Sequence, residues 1–202
     1  MTDTASAAAV SPSPARVGRS ALRSIAVPTE HGGWGLTAEP VVLGLAVAPS
    51  IAGLCLGSAA IIAFLARTPL RVVLVDRHRN RDLDRTGLAR RVLLVEVAVI
   101  VALVAGAAVT ATATFWWPAA IAAPLVATEL WFDARSRSRR LVPELAGTYG
   151  ICSVAAMILL ATGHPPAEAI AAWLILAGRA TTAIPHVRAQ IARWMSTELT
   201  AR

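Results

Sequence analysis

Hydrophobic positions in this chain fall into long unbroken runs separated by short polar stretches, without the strict alternation that marks a half-buried sheet. About 20 helical residues cross a hydrocarbon core. Runs near that length extend from about Gly32 to Ala48, on to about Ala66, from Val92 to about Ala113, Trp116 to Phe132, Leu145 to Ala161 and Ala167 to Ile184. Pro49-Ser50 divides the first two, because one helix over Leu36 to Ala66 would overshoot the bilayer. The pattern predicts an all-α polytopic membrane bundle of six transmembrane helices over residues 25–184. Residues 1–24 are rich in Ala, Ser, Thr and Pro and lack a continuous apolar core, so they read as a disordered cytoplasmic tail and not as a signal peptide. Residues 185–202 set Val187, Ile191, Trp194 and Met195 against Arg188 and Arg193, the pattern of a separate amphipathic helix lying on the cytoplasmic surface.

Composition agrees with the pattern: 56% of the 202 residues are hydrophobic, too many for an ordinary soluble domain of this length. The formal charge of +7 comes with 19 basic residues, every one an Arg. They crowd into particular connections and form no nucleic-acid recognition module, so no nucleic-acid partner is expected. Short cytoplasmic loops collect Arg and exported ones do not. Arg67 to Arg91 and Arg135 to Arg140 therefore mark cytoplasmic loops, whereas Pro49-Ser50, Thr114-Phe115 and Gly163 to Pro166 hold no Arg. Arg16, Arg19 and Arg23 before the first run, and Arg188, Arg193 and Arg202 after the last, put both termini in the cytoplasm. The expected setting is the cell membrane, multi-pass, with anionic lipid head groups as partners and the chain either single or a homo-oligomer. Cys55 and Cys152 lie inside apolar runs and fit no metal spacing, so they read as packing residues. The glycine pairs Gly53/Gly57 and Gly147/Gly150 suit close helix contact.

Ionisable groups at membrane depth cost about 2.5 to 3.5 kcal/mol near a helix centre on insertion scales, so they turn inward to partners or water. Here Glu39, Glu96, Glu129, Asp133, Glu144 and Arg179 all fall in the cytoplasmic half of their runs. Residues four apart share a helix face. His31, Gly35 and Glu39 thus stack on one side, with Gly35 leaving a gap, and Glu129 and Asp133 share another. Arg179 and His186 are seven apart on the last run. These faces are expected to close around one cytoplasm-facing cavity lined by His31, Trp34, Glu39, Arg67, Glu129, Asp133, Glu144 and Arg179, with Glu39 and Arg179 as a buried ion pair. The competing reading has each group snorkel to the interface or cap a helix.

Asp76-Arg77-His78-Arg79-Asn80-Arg81-Asp82-Leu83-Asp84-Arg85 supports two readings. One is a solvated loop that sets topology and touches anionic lipid. The other makes Asn80, Asp82 and Asp84 oxygen ligands for Mg2+, with neighbouring Arg holding a diphosphate. No phosphate-cradling glycine loop or zinc spacing is present.

Pro28-Thr29-Glu30-His31-Gly32-Gly33-Trp34, followed by Pro40 and an apolar run, resembles the opening signature of the YwiC-like family of bacterial integral membrane proteins. Phe64 to Leu70, Arg140 to Gly147 and Pro185 to Ala189 resemble later stretches of that family. The resemblance implies location and architecture but no established activity. A fainter similarity links Glu144-Leu145-Ala146-Gly147 and Asn80 to Asp84 to UbiA-type prenyltransferases, which bind an isoprenyl diphosphate and Mg2+. That likeness would imply prenyl transfer, with Mg2+ as cofactor only in that case; the second Asp-rich motif is missing. The leading expectation is a cavity for an anionic lipid or isoprenoid substrate. The alternatives are a transporter of a small solute or protons gated by Glu39 and Arg179, and a non-catalytic membrane scaffold.

Overall fold

A computed structural model describes residues 31–80, 83–135 and 140–200, with side chains from 33 to 194 within those ranges. Among the described residues the chain forms six helices and no strand: α1 (His31–Val47), α2 (Ile51–His78), α3 (Asp84–Thr110), α4 (Trp116–Ala134), α5 (Leu141–Ala161) and α6 (Pro166–Thr200). The tail 1–24, the His31 side chain and Asp82 lie outside the described ones. Four helices, α2, α3, α5 and α6, are long and apolar enough to cross a membrane. α1 qualifies only as a shorter apolar helix over Gly33–Val47, and α4 carries Trp116, Trp117, Pro118, Glu129 and Asp133 within its 19 residues. The protein is a helical membrane bundle, with four of the six expected spans meeting this standard of length and composition.

The helices outrun the expected spans. α2 continues past Ala66 through Pro69 to His78, and α3 begins at Asp84 instead of Val92. Hydropathy marks where lipid stops, not where the backbone ladder stops, and at about 1.5 Å per residue α2 and α3 are each about 40 Å long against a core of about 30 Å. Pro69 removes only one N–H and is fully buried, so packing holds the helix through it. The turn between α2 and α3 uses Asn80 at φ 49°, a left-handed conformation that Asn tolerates well. α6 likewise runs unbroken through Pro185, where a helix boundary was expected.

α5 is the central post. It packs against α1, α2, α4 and α6, and 67% of its apolar window is buried, against 6% for α3, which rests chiefly on α2. Glycines set these approaches. Gly44 on α1 faces Ile158 and the Ala155 backbone of α5, and Gly57 on α2 receives Val41 of α1. Gly150 on α5 receives Val126 of α4.

The bundle has two unlike ends. At one, the start of α2 and α6 and the ends of α3 and α5 meet in an apolar cluster of Ala48, Ala52, Leu56, Ala107, Phe115, Ile158 to Ala161 and Ala169. Ser50 caps α2 by accepting from the Gly53 amide at 2.9 Å, and the Thr112 amide donates to the Ala161 carbonyl at 2.9 Å, closing this end. The other end carries the interhelical ion pairs.

Candidate functional site

The polar end is built from carboxylates that project from one helix onto an arginine of another. Arg67 on α2 reaches α4, where its NH2 lies 2.9 Å from Glu129 Oε1 and its Nε donates to Asp133 Oδ2 at 3.1 Å. The two carboxylates are four residues apart, so the 3.6-residue period turns both to the same guanidinium. Asp133 is fully buried, its Oδ1 without a hydrogen-bond partner among the described residues, while Glu129 lies directly over Gly147 of α5. No Cβ fits there beneath the carboxylate, so Gly147 admits a charge as well as a neighbouring helix.

A second tie joins the first helix to the last. Arg179 on α6 donates through Nε and NH2 to the two carboxylate oxygens of Glu39 on α1, a bidentate pair. α1 and α6 both pack on α5 but make little backbone contact with one another. On the apolar side of the pair the seam between them is closed by Leu43, Leu176 and Trp173 over Cys152 and Ala155. On the polar side Gly35, one turn before Glu39, faces open space among the described residues. The expectation of a buried pair is corrected: the two do pair, but the side chains keep 55% (Arg179) and 29% (Glu39) of their exposure. Among the described residues α5 is the helix that underlies both, and the seam stays open at its lips.

Glu144, in the first turn of α5, pairs with Arg188 at 2.7 Å. Nine residues, about two and a half turns, separate Arg188 from Arg179, which places them on opposite flanks of α6. Tyr149, with its hydroxyl 2.7 Å from Thr181 Oγ1, shares the Arg188 flank. Glu144 therefore does not meet Glu39 and Arg179 in one cavity. The expected residues resolve into three groups along the polar end: Glu39–Arg179 between α1 and α6, Glu144–Arg188 between α5 and α6, and Arg67–Glu129–Asp133 between α2 and α4. Trp34 stands apart, edge-on to Phe64 of α2 with ring centroids 5.1 Å apart.

A fourth group lies where a loop was expected. Asp76, buried at the end of α2, accepts from Arg85 NH2 at 2.9 Å and from the Thr86 hydroxyl at 2.7 Å, and clamps α2 to α3. Asp84 falls in the first turn of α3 and Asn80 in the turn. Among the described residues no group of three His, Cys, Asp or Glu could hold a metal ion. A cleft of about 460 Å³ borders Leu83, Asp84, Gly87, Leu88 and Arg91 along the first turns of α3, next to the Asp76 clamp. Sequence reasoning missed the Asp76 clamp and the Arg188 partner of Glu144. Asp76 is flanked by Val75 and by a return helix bearing Arg85 and Thr86, the one available signal for the clamp.

A sequence profile described as YwiC-like protein matches residues 27–159, which run through α1 to α4 and most of α5. No curated protein and no solved structure matches the chain.

Proposed function

The chain belongs to the YwiC-like family and is an integral membrane protein, and from that premise we propose that its polar end faces the cytoplasm and binds an anionic amphiphile, a lipid or an isoprenoid phosphate. The observation that carries this reading is the asymmetry of the bundle: four arginine–carboxylate groups gather at one end, while the other is sealed by Phe115, Ile158 and Ala169. A conduction pathway needs polar lining through both halves. Among the described residues the ion pair found at the far end, beyond the apolar cluster, is His164–Glu168, 2.7 Å apart within one helical turn. A head-group site needs access from one face alone, which is what the bundle supplies.

Arginine supports the choice of ligand. Arg71, Arg77, Arg90 and Arg91 are exposed where α2 and α3 pass beyond the apolar span, and such clusters raise the local concentration of anionic head groups. Glu39, Asp76, Glu129, Asp133 and Glu144 at the polar end are engaged by arginines, which weighs against an Mg2+-dependent diphosphate transfer and favours binding. The protein in nanodiscs of mixed phosphatidylglycerol and phosphatidylcholine is expected to retain phosphatidylglycerol preferentially by native mass spectrometry, with no requirement for Mg2+. Equal retention of both lipids would contradict the proposal. An Asp84→Ala variant that loses Mg2+-dependent binding of farnesyl diphosphate would restore the transferase reading.

A further inference from the structure

We infer that the seam between α1 and α6 is a lateral binding site for the phosphate head group of a bilayer lipid, in which Glu39 is the displaceable counter-ion of Arg179. The inference rests on the proposed binding of an anionic amphiphile and assigns it a place. Three features of the seam converge. The Glu39–Arg179 pair is the tie across a gap that backbone packing leaves open, and Arg179 keeps more than half of its side-chain surface accessible. A guanidinium held by two parallel donors to a carboxylate presents the geometry that also fits two phosphate oxygens. A half-exposed pair is weak enough to exchange, since screening and the entropy of holding two long side chains offset most of its attraction.

The surroundings fix what kind of ligand would come. Toward the polar end the wall of α1 drops away at Gly35, where among the described residues nothing lies within 4 Å of the place a side chain would take. Opposite, Thr182 and His186 follow Arg179 by three and seven residues, so they continue its flank of α6 as far as the mouth. Toward the apolar end the seam closes at Leu43 and Leu176, while Val42 and Ile175 stand exposed beside it. A head group therefore fits above the pair, between Gly35, Thr182 and His186. Its hydrocarbon chain runs down the outside along Val42 and Ile175. A soluble phosphate would gain nothing from that apolar rim, whereas a lipid already in the bilayer reaches the seam sideways without leaving it.

Three substitutions in the full-length protein, read by native mass spectrometry in nanodiscs with phosphatidylglycerol as the probe, separate this site from a structural salt bridge. Glu39→Gln removes the competing carboxylate and is expected to tighten binding about threefold, whereas Arg179→Gln is expected to weaken it about tenfold. Gly35→Leu touches neither charge and fits open space, so it should preserve thermal stability and still weaken binding about tenfold by filling the mouth. Arg188→Gln, on the opposite flank, is expected to leave binding unchanged. If Glu39→Gln weakens binding, or Gly35→Leu leaves it intact, the seam is not the site. Preferential retention of phosphatidylglycerol that is indifferent to all three seam variants would overturn this inference while the proposed function stands. Absence of any preference in the wild-type protein would overturn both. Inorganic phosphate competing as well as the lipid would show that the chain plays no part, and would contradict a bilayer source.

Discussion

Gly147 shows how much a single position decides here. Its hydrogen stands where any Cβ would strike the Glu129 carboxylate, and that carboxylate is one of two that hold Arg67. Gly147→Ala should therefore act through Glu129, displacing it from Arg67, and not through a general loss of packing. Gly147→Ala combined with Glu129→Gln is expected to cost less than the two changes added, by about 0.5 to 1 kcal/mol in a thermal-unfolding double-mutant cycle. Additive costs would mean that the glycine serves packing alone. Asp133 makes the sharper contrast, being wholly buried beside Arg67. Interhelical polar contacts in membranes are worth up to about 1.7 kcal/mol, so Asp133→Ala should lower Tm by a few degrees, on the order of 3 to 7 °C. The same change at Glu144, half-exposed with Arg188, should lower Tm by less than Asp133→Ala.

Helices in this chain are decided by packing as much as by hydropathy. Asp76 and Thr86 lie ten residues apart, and their 2.7 Å bond closes the turn that the sequence pattern read as a loop, either solvated or metal-binding. Arg85 donates to the same carboxylate, so the charge of a buried acid is balanced at the α2–α3 turn. Thr86→Val keeps the volume and removes the donor, leaving Asp76 short of a partner. Amide exchange at the α2–α3 turn should speed up about tenfold in that variant, while exchange in α5 stays as it was. Equal acceleration in α5 would show that the two regions open as one unit. The spans themselves were legible because long apolar runs have one physical outcome in a bilayer. Their ends were not, since the ladder continues through Pro69 and Pro185 wherever tertiary contacts hold it. The stacking of Gly35 and Glu39, and the pairing of Glu39 with Arg179, were legible from helical period and the cost of charge in lipid. The separation of Glu144 from that pair was not, because it depends on which flank of α6 each arginine occupies.

At the scale of the molecule, α5 forms a buried post around which α1, α2, α4 and α6 are arranged, and α3 lies outermost on α2. Among the described residues the interhelical ion pairs lie at one end and the larger apolar cluster at the other. The arginine asymmetry predicts that reporters fused to either terminus stay in the cytoplasm: green fluorescent protein should fluoresce at both, and alkaline phosphatase should be inactive at both. Active phosphatase at one terminus would require an odd number of crossings. That result would reverse the polar end for part of the bundle and remove the basis for a cytoplasmic head-group site.

The most direct test of that site is an experimental density map of the protein in a phosphatidylglycerol-containing nanodisc. Head-group density against Arg179 at the α1–α6 seam, with Glu39 turned aside, is the predicted result. Arg179 engaged by Glu39 alone, with ordered anionic lipid elsewhere or nowhere, would contradict it.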